Sequence, residues 1–374
     1  MATELLTNGN PEPMSIEGRL SSEAIPLNRN LQQENVPSSL GGPYVDSPLN
    51  TAESIPKQDA NTDVNETEII DAQIIADLFQ RIQAGDNYAK FELGQFYFER
   101  REYTDAKKLF DEISNENMQA IYQLAVMYYD GLGVETNYKR AVEMMKTVIG
   151  TQDPQWEFLV PYAQYQLGRA FFEGFGVEQS DSEAEMLWIK AARDGDPDGS
   201  VKAQTTLGMF YSRPGEDTYD IQKAHFWHQE ATGNGSLESQ AALGLLYQHG
   251  LGVIKDNKAS YKCLKSAAER GNIYAIGNMS YYYYKLKLFN NAVDFAQRAI
   301  SITDAEKVAE VTGCLVHYIR KGIAMSCFVY GRCLAKGYGI YRDQQTALKY
   351  YAKAAEFDLD IASHLQELMI QGYI

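Results

Sequence analysis

The chain has 374 residues, of which 45% are hydrophobic and 22% are charged, so it can supply a sizeable folded core. Its formal net charge of −16 argues against broad nucleic-acid binding and against adhesion to anionic membranes, because both surfaces are polyanionic. No apolar run predicts a transmembrane helix, and the four cysteines are too few and too clustered for a disulfide framework. We therefore expect a cytoplasmic protein with no direct membrane insertion and no nucleic-acid partner.

Residues 1–66 differ in composition from the rest of the chain. They hold seven of the eleven prolines, a single aromatic residue (Tyr44), and a charge of −7 from three basic and ten acidic side chains. The first residues, MATELLTNGN, lack the basic and apolar regions of a signal peptide. Such a segment buries too little apolar surface to offset its ordering entropy, so we predict a disordered tail, either inert or carrying regulatory motifs.

From Glu68 onward, apolar residues recur at helical spacing and the sequence contains an internal repeat. Each repeat contains a large residue followed by a small one: Leu93-Gly94, Leu124-Ala125, Leu167-Gly168, Leu207-Gly208, Leu243-Gly244, Met279-Ser280 and Tyr330-Gly331. Four residues later there is a large side chain: Tyr97, Tyr128, Phe171, Tyr211, Tyr247, Tyr283 and Leu334. Further on there is an alanine: Ala106, Ala141, Ala184, Ala224, Ala259, Ala292 and Ala347.

These recurring positions predict how the two helices of each repeat pack against each other. A small residue beside a large ring lets two antiparallel helices approach closely, and the alanines let the second helix rest on the next pair. A hairpin of this kind cannot bury its face alone, so stacking must supply the core. The sequence therefore predicts an all-α protein, in which residues 67–374 form a right-handed superhelix (α-solenoid) of about seven helical hairpins.

We call the large residue of each pair the first-column residue. Its distance in sequence from the alanine that follows divides the hairpins into two classes. It is 13 residues in two hairpins and 16 or 17 in the other five. Four of the longer turns carry a glycine pair, beginning at Gly131, Gly174, Gly250 and Gly337. A phosphate-binding loop needs a strand before its glycines, whereas here a helix precedes them. We interpret these glycines as left-handed C-caps of the first helix.

These repeats resemble the SEL-one-like repeat family, the longer-looped relative of the tetratricopeptide repeat, and the two short-spaced hairpins resemble tetratricopeptide repeats proper. Three segments also resemble receptor-associated members of this family in sequence: YQLAVMYYDGLGV, ESQAALGLLYQHGLG and CFVYGRCLAKGYGI. The resemblance implies a non-enzymatic adaptor. Its partners would be the cytoplasmic tail of an endocytic receptor of the lipoprotein-receptor family and other scaffold proteins.

Enzymatic motifs are sparse in this sequence. His225 and His228 stand three apart on a predicted helix, but no third metal ligand has a defensible position, so polar positions around Trp227 are the better interpretation. Cys327 and Cys333 are six apart and are interpreted as buried small side chains. We predict no catalytic residue, no metal and no cofactor.

A peptide-binding groove is predicted on the first helices of successive hairpins, which line the concave surface of such solenoids. Within each hairpin, the positions five and two residues before the first-column residue, and two, five and six residues after it, are expected to face inward. They select Tyr88, Gln95, Tyr122, Tyr129, Tyr165, Arg169, Glu173, Lys202, Met209, Arg213, His249, Tyr281, Tyr284, Arg332 and Lys336. The cations could receive an acidic motif or a C-terminal carboxylate.

Other interpretations stay open at this point. The inward tyrosines could simply pack between neighbouring first helices. Residues 301–324 are predicted to be an inserted helix with a basic end, which braces the turn between two hairpins or closes one end of the groove. A regulatory or assembly factor for an enzyme partner, or a hydrolase on the same repeats, are the alternative functions.

Overall fold

The computed structural model describes residues 60–193 and 197–373, which contain seventeen α-helices and no β-strand. The predicted all-α fold is confirmed in this part of the chain. Most of the tail predicted to be disordered, residues 1–59, lies outside the described residues, whereas residues 60–66 belong to the first helix. The described residues divide into two compact units, residues 60–136 and residues 137–373.

The smaller unit contains four helices, each packed against the next along the chain. They are α1 (Ala60–Gln83), α2 (Asn87–Glu99), α3 (Tyr103–Ile113) and α4 (Met118–Asp130).

The larger unit contains thirteen α-helices, and a short 3₁₀ helix (Pro154–Leu159) precedes its second one. Its antiparallel hairpins stack on one another, as expected for a helical repeat array. The α-helices are α5 (Tyr138–Ile149), α6 (Val160–Glu173), α7 (Asp181–Arg193), α8 (Pro197–Tyr211), α9 (Ile221–Gly233), α10 (Leu237–His249), α11 (Asn257–Glu269), α12 (Ile273–Lys285), α13 (Phe289–Ile300), α14 (Ala305–Thr312), α15 (Val316–Lys336), α16 (Gln344–Phe357) and α17 (Leu359–Ile370).

The small residues that directly follow the first-column residues have the packing role that the sequence predicts. At Gly168 an added Cβ would lie 2.6 Å from the indole Nε1 of Trp188, and at Gly94 it would lie 2.6 Å from the Phe110 ring. Trp188 is almost fully buried, and its indole N–H donates to the Tyr165 carbonyl at 3.2 Å. A small residue on the first helix therefore seats a large side chain of the second helix.

The glycine pairs confirm the predicted C-caps and add a second role. The first glycine of each pair adopts the left-handed conformation at the helix end, with φ of 71° at Gly131 and 73° at Gly174. The second glycine lies against the first residue of the preceding hairpin's second helix. At Gly176, for example, an added Cβ would lie 2.5 Å from the Tyr138 carbonyl oxygen. Phe175, between the two glycines, stacks on Tyr138 at 4.8 Å.

This contact between a second glycine and the preceding hairpin, which we call the interlock, recurs along the chain. Gly133 lies against Tyr103, Gly252 against Ile221 and Gly339 against Phe289, and Tyr338 stacks on Phe289 at 4.3 Å. The four glycine-pair loops thus join their hairpin to the preceding one, in addition to capping a helix.

The two short-spaced hairpins turn differently. Each places a non-glycine residue in the left-handed region, Arg101 with φ of 64° and Lys287 with φ of 59°. These turns contain no glycine pair. In the larger unit, the start of α11 therefore lacks the glycine contact that the starts of α5, α9 and α13 receive.

The insert differs from the single helix that the sequence predicts. Residues 305–312 form the short α14, which ends at the left-handed Gly313, and residues 316–324 instead lengthen the N-terminal part of α15. The intervening backbone is anchored because the N–H of Leu315 donates to the Glu238 carboxylate at 3.1 Å. A second feature that the columns do not predict is α17, which packs on α15 and α16.

Candidate functional site

A small pocket, with a cavity volume of about 30 Å³, opens on the predicted inward face of the larger unit. Its walls come from α10, α12, α15 and the C-terminal helix α17. The lining residues are Leu245, Gln248, His249, Tyr274, Asn278, Tyr281, Met325, Ile361, His364 and Leu365.

The first helices contribute to this pocket at the offsets that define the inward face. Tyr274 and Met325 lie five residues before their first-column residues, and Tyr281 lies two after. His249 lies six after Leu243. The repeat register therefore identifies which side chains of α10, α12 and α15 meet, although it does not identify α17.

The polar groups of the pocket are mainly uncharged hydrogen-bonding groups. Burial raises the pKa of Tyr281, so its hydroxyl stays protonated. Burial, and to a smaller extent the charge of Lys255, lowers the pKa of His249, which favours the neutral imidazole. The amide of Asn278 donates to the Tyr274 carbonyl at 2.8 Å. A small pocket with an apolar wall and neutral polar groups suits a small apolar side chain flanked by peptide groups.

In the smaller unit the predicted groove residues are mostly packed. Tyr122 and Tyr129 are buried, Tyr88 is half-buried, and Gln95 accepts a hydrogen bond from the Gln123 amide at 2.6 Å. Buried tyrosines have little area left to offer a partner. For Tyr122 and Tyr129 the structure therefore favours the alternative interpretation, in which inward tyrosines fill the space between helices.

The two arginines expected to receive an acidic motif already have partners. The Arg169 guanidinium is buried and pairs with Glu173 at 3.3 Å. Arg213 lies over the rings of Phe172 and Phe210, at 4.7 and 4.8 Å, and pairs with Asp181 at 3.7 Å. Arg169 therefore pairs within its own helix, and Arg213 contacts the preceding hairpin, which the repeat positions alone do not reveal.

The remaining predicted residues lie outside the pocket lining. Tyr165 and Tyr284 are buried, and Tyr284 packs edge-to-face on Phe289 at 5.5 Å. A further group is half-buried, consisting of Lys202, Met209 and Arg332. Lys336 is exposed at the end of α15. Peptide contact by these residues stays a prediction.

A serine–histidine contact lies in the core of the larger unit. His228 Nδ1 and Ser239 Oγ are 3.0 Å apart, but His228 is 2% exposed and Ser239 is 0% exposed, so a substrate cannot reach them. Within residues 60–193 and 197–373, no group of three or more His, Cys, Asp or Glu side chains could hold a metal ion. No helix in these ranges is long and apolar enough to cross a membrane. Cys327 and Cys333 are fully buried, as predicted.

Stacked helical hairpins with an inward pocket define an α-helical repeat protein. The family model described as the Sel1 repeat matches residues 119–147, 161–196, 201–236, 237–272 and 324–356. Five segments of the chain therefore match the Sel1 repeat.

Two curated relatives and one solved structure illustrate this similarity. Chitin synthase regulatory factor 3 of Schizosaccharomyces pombe is 23% identical over 72% of this chain, and DAP3-binding cell death enhancer 1 of Rattus norvegicus is 35% identical over 25% of it. The aligned regions span only 28% and 18% of those relatives' lengths. A Sel1 repeat protein from Oxalobacter formigenes matches 71% of this chain and 99% of its own, at 24% identity and a TM-score of 0.56, which supports the fold alone.

Proposed function

We propose that the protein is a cytoplasmic, non-enzymatic scaffold or adaptor that binds peptide segments of partner proteins on the inward face of its larger unit. The observation that carries the proposal is the pocket in which Leu245, His249, Tyr281 and Met325 converge at the repeat's inward offsets. Aromatic and aliphatic side chains that surround a concave site are typical anchors for peptides.

A finer proposal names the partner. The sequences and order of the repeats resemble those of the megalin-binding protein. The bound segment would then be the cytoplasmic tail of megalin, an endocytic receptor of the lipoprotein-receptor family. Binding of this kind would let the protein regulate the receptor. The neutral pocket suits an apolar side chain of the tail better than it suits a carboxylate.

The test is a fluorescence-polarisation assay with synthetic peptides that tile the cytoplasmic tails of lipoprotein-receptor-family proteins, megalin included. The variant is Tyr281→Ala, and the matched control is Tyr341→Ala, because Tyr341 is 96% exposed and lies outside the pocket lining. We expect one or more tail peptides to bind, and Tyr281→Ala to weaken binding by about tenfold or more, as for an aromatic anchor.

Two results would contradict different parts of the proposal. Equal weakening by Tyr281→Ala and Tyr341→Ala would remove the pocket as the binding site. If no tail peptide bound to the wild-type protein, the receptor-tail assignment would be wrong.

A second candidate function is regulation of an enzyme partner. The observation that favours it is the similarity of 72% of this chain to chitin synthase regulatory factor 3. Affinity purification of the full chain, in parallel with Tyr281→Ala, would test it. We then expect an enzyme that co-purifies with the wild type and is lost with the variant. Co-purification that is unchanged by the variant would count against the pocket as the site of regulation.

A further inference from the structure

The start of α11 in the larger unit receives no glycine loop from the hairpin that follows it. Each glycine loop places its second glycine against the start of the preceding hairpin's second helix, as Gly252 does on Ile221 and Gly339 does on Phe289. The hairpin that follows α11 is one of the two short-spaced ones, and it turns through Lys287 without such a loop. Asn257 and Lys258 at the start of α11 are exposed, whereas Ile221 and Phe289, the first residues of α9 and α13, are half-buried.

Helix α11 carries a row of lysines. Lys258, Lys262 and Lys265 follow one another at intervals of four and three residues, so they lie on one face of the helix. Lys258 and Lys262 are exposed, and the Lys265 side chain is 43% exposed. In the described part of the chain, Lys265 pairs with Glu269 at 3.7 Å, whereas Lys258 and Lys262 form no ion pair.

Aromatic rings join this row to the neighbouring turn. The ring of Tyr261 lies 5.8 Å from Lys265 Nζ and 5.7 Å from the ring of Tyr282, which is 37% exposed. Three residues beyond Tyr282, Lys285 is exposed at the end of α12, and Lys287 follows it in the turn. We call Lys258, Lys262, Lys265, Tyr261, Tyr282, Lys285 and Lys287 the lysine–tyrosine patch.

The charge of this region is opposite to that of the chain. Residues 246–288 contain seven Lys and Arg and two Asp and Glu, which gives them a formal charge of +5, against −16 for the whole chain. Two exposed leucines adjoin the turn, Leu286 at 52% and Leu288 at 48%. The region therefore offers cations, aromatic faces and apolar side chains together, which is the combination that acidic peptides with apolar residues bind.

We infer that the lysine–tyrosine patch is a second docking surface, which binds an acidic peptide segment of a protein partner. Its extent supports this occupant, because Lys258–Lys265 covers about 10 Å of helix, which matches about four residues of extended peptide. A long polyanion such as DNA or an anionic membrane would meet the negative charge of the rest of the chain. The patch adjoins the inward pocket at one point, because Lys285 Nζ lies 5.6 Å from the Tyr281 ring. The lysines of α11 lie outside the pocket lining, so the inference does not depend on the proposed receptor tail.

The experiment measures binding of a fluorescein-labelled ten-residue peptide, EDLEDYEDLE, to the full chain, with QNLQNYQNLQ as the neutral comparison. The variant is Lys258→Glu/Lys262→Glu. The matched control is Lys190→Glu/Lys349→Glu, because both of these lysines are exposed on second helices outside the patch. Circular dichroism checks that both variants keep the wild-type helix content.

We expect the acidic peptide to bind more tightly than the neutral one, with an affinity that falls as salt rises. The patch variant should lose about tenfold or more in affinity, and the control variant less than about twofold. Equal losses in the two variants, or no preference for the acidic peptide, would overturn the inference.

Three competing occupants are distinguished in the same assay. Tighter, patch-dependent binding of a DNA oligonucleotide, or of vesicles that contain phosphatidylserine, would overturn the assignment to a protein segment. A gain in peptide affinity after deletion of residues 1–59 would show that the chain's own acidic segment occupies the patch, and would overturn the assignment to a separate partner. An inward-pocket variant on α17, His364→Ala, should leave this binding unchanged.

Discussion

Replacement of Gly176 by alanine tests the interlock between successive hairpins. Gly176 has φ of 78°, a conformation that costs an L-residue about 1–2 kcal/mol. Its added Cβ would also lie 2.5 Å from the Tyr138 carbonyl oxygen, so the loop must move away from α5. That movement separates Phe175 from the Tyr138 ring, on which it stacks at 4.8 Å, a contact that contributes about 0.5–1.5 kcal/mol. We expect a total loss of about 2–3 kcal/mol.

Two other glycines provide matched controls for this experiment. Gly215 has φ of 89° but nothing within 4 Å of an added Cβ, so Gly215→Ala isolates the conformational cost of about 1 kcal/mol. Gly233 has neither feature, so Gly233→Ala should change stability by about 0.5 kcal/mol or less. Urea unfolding, followed by circular dichroism at a helix band, gives the three values. If Gly176→Ala were no more destabilising than Gly215→Ala, the loop contact on α5 would contribute nothing and the interlock would be wrong.

Three further predictions concern the core of the larger unit. Trp188→Ala should lose about 3–5 kcal/mol of stability in the same urea assay, because the ring is 1% exposed; a loss below about 1 kcal/mol would contradict the packing described. Burial, and less strongly His225, lowers the pKa of His228 to about 4. The unfolded state thus binds more protons between about pH 6.5 and 4, and lowering the pH from 7.5 to 5 should remove about 2 kcal/mol in the wild type that His228→Asn does not lose; equal losses would refute this. In the native protein, a thiol reagent should modify Cys263 alone, since the other three cysteines are buried; rapid reaction of a second thiol would contradict this.

The sequence predicts the hairpins well because their register depends on local spacing. A small residue at Gly168 and a large one at Trp188 fix how two helices of one hairpin meet, and both are visible in a single sequence. The left-handed caps are predictable for the same reason, since only glycine adopts that backbone at low cost. The offsets that identify Tyr281 and His249 follow from the same register.

Features that depend on contacts distant in sequence were not predictable in this way. Arg213 occupies an inward offset, yet it lies over the rings of Phe172 and Phe210 and pairs with Asp181. Phe172 and Asp181 belong to the preceding hairpin. Helix α17 has no partner column, so nothing in the repeat shows that Ile361 and Leu365 complete the pocket. The insert divides into α14 and an extension of α15 because Gly313 ends the first helix.

The most direct test of peptide binding at the inward pocket is site-specific photo-cross-linking in the full chain. In one protein p-benzoylphenylalanine replaces Tyr281, which lines the pocket, and in a second it replaces Tyr341, which is exposed outside the pocket. Each protein is irradiated with a biotinylated receptor-tail peptide, with and without excess unlabelled peptide. We predict a cross-link from position 281 that the unlabelled peptide suppresses, and none from position 341. Equal cross-linking from the two positions, or cross-linking from position 341 alone, would contradict binding at the inward pocket.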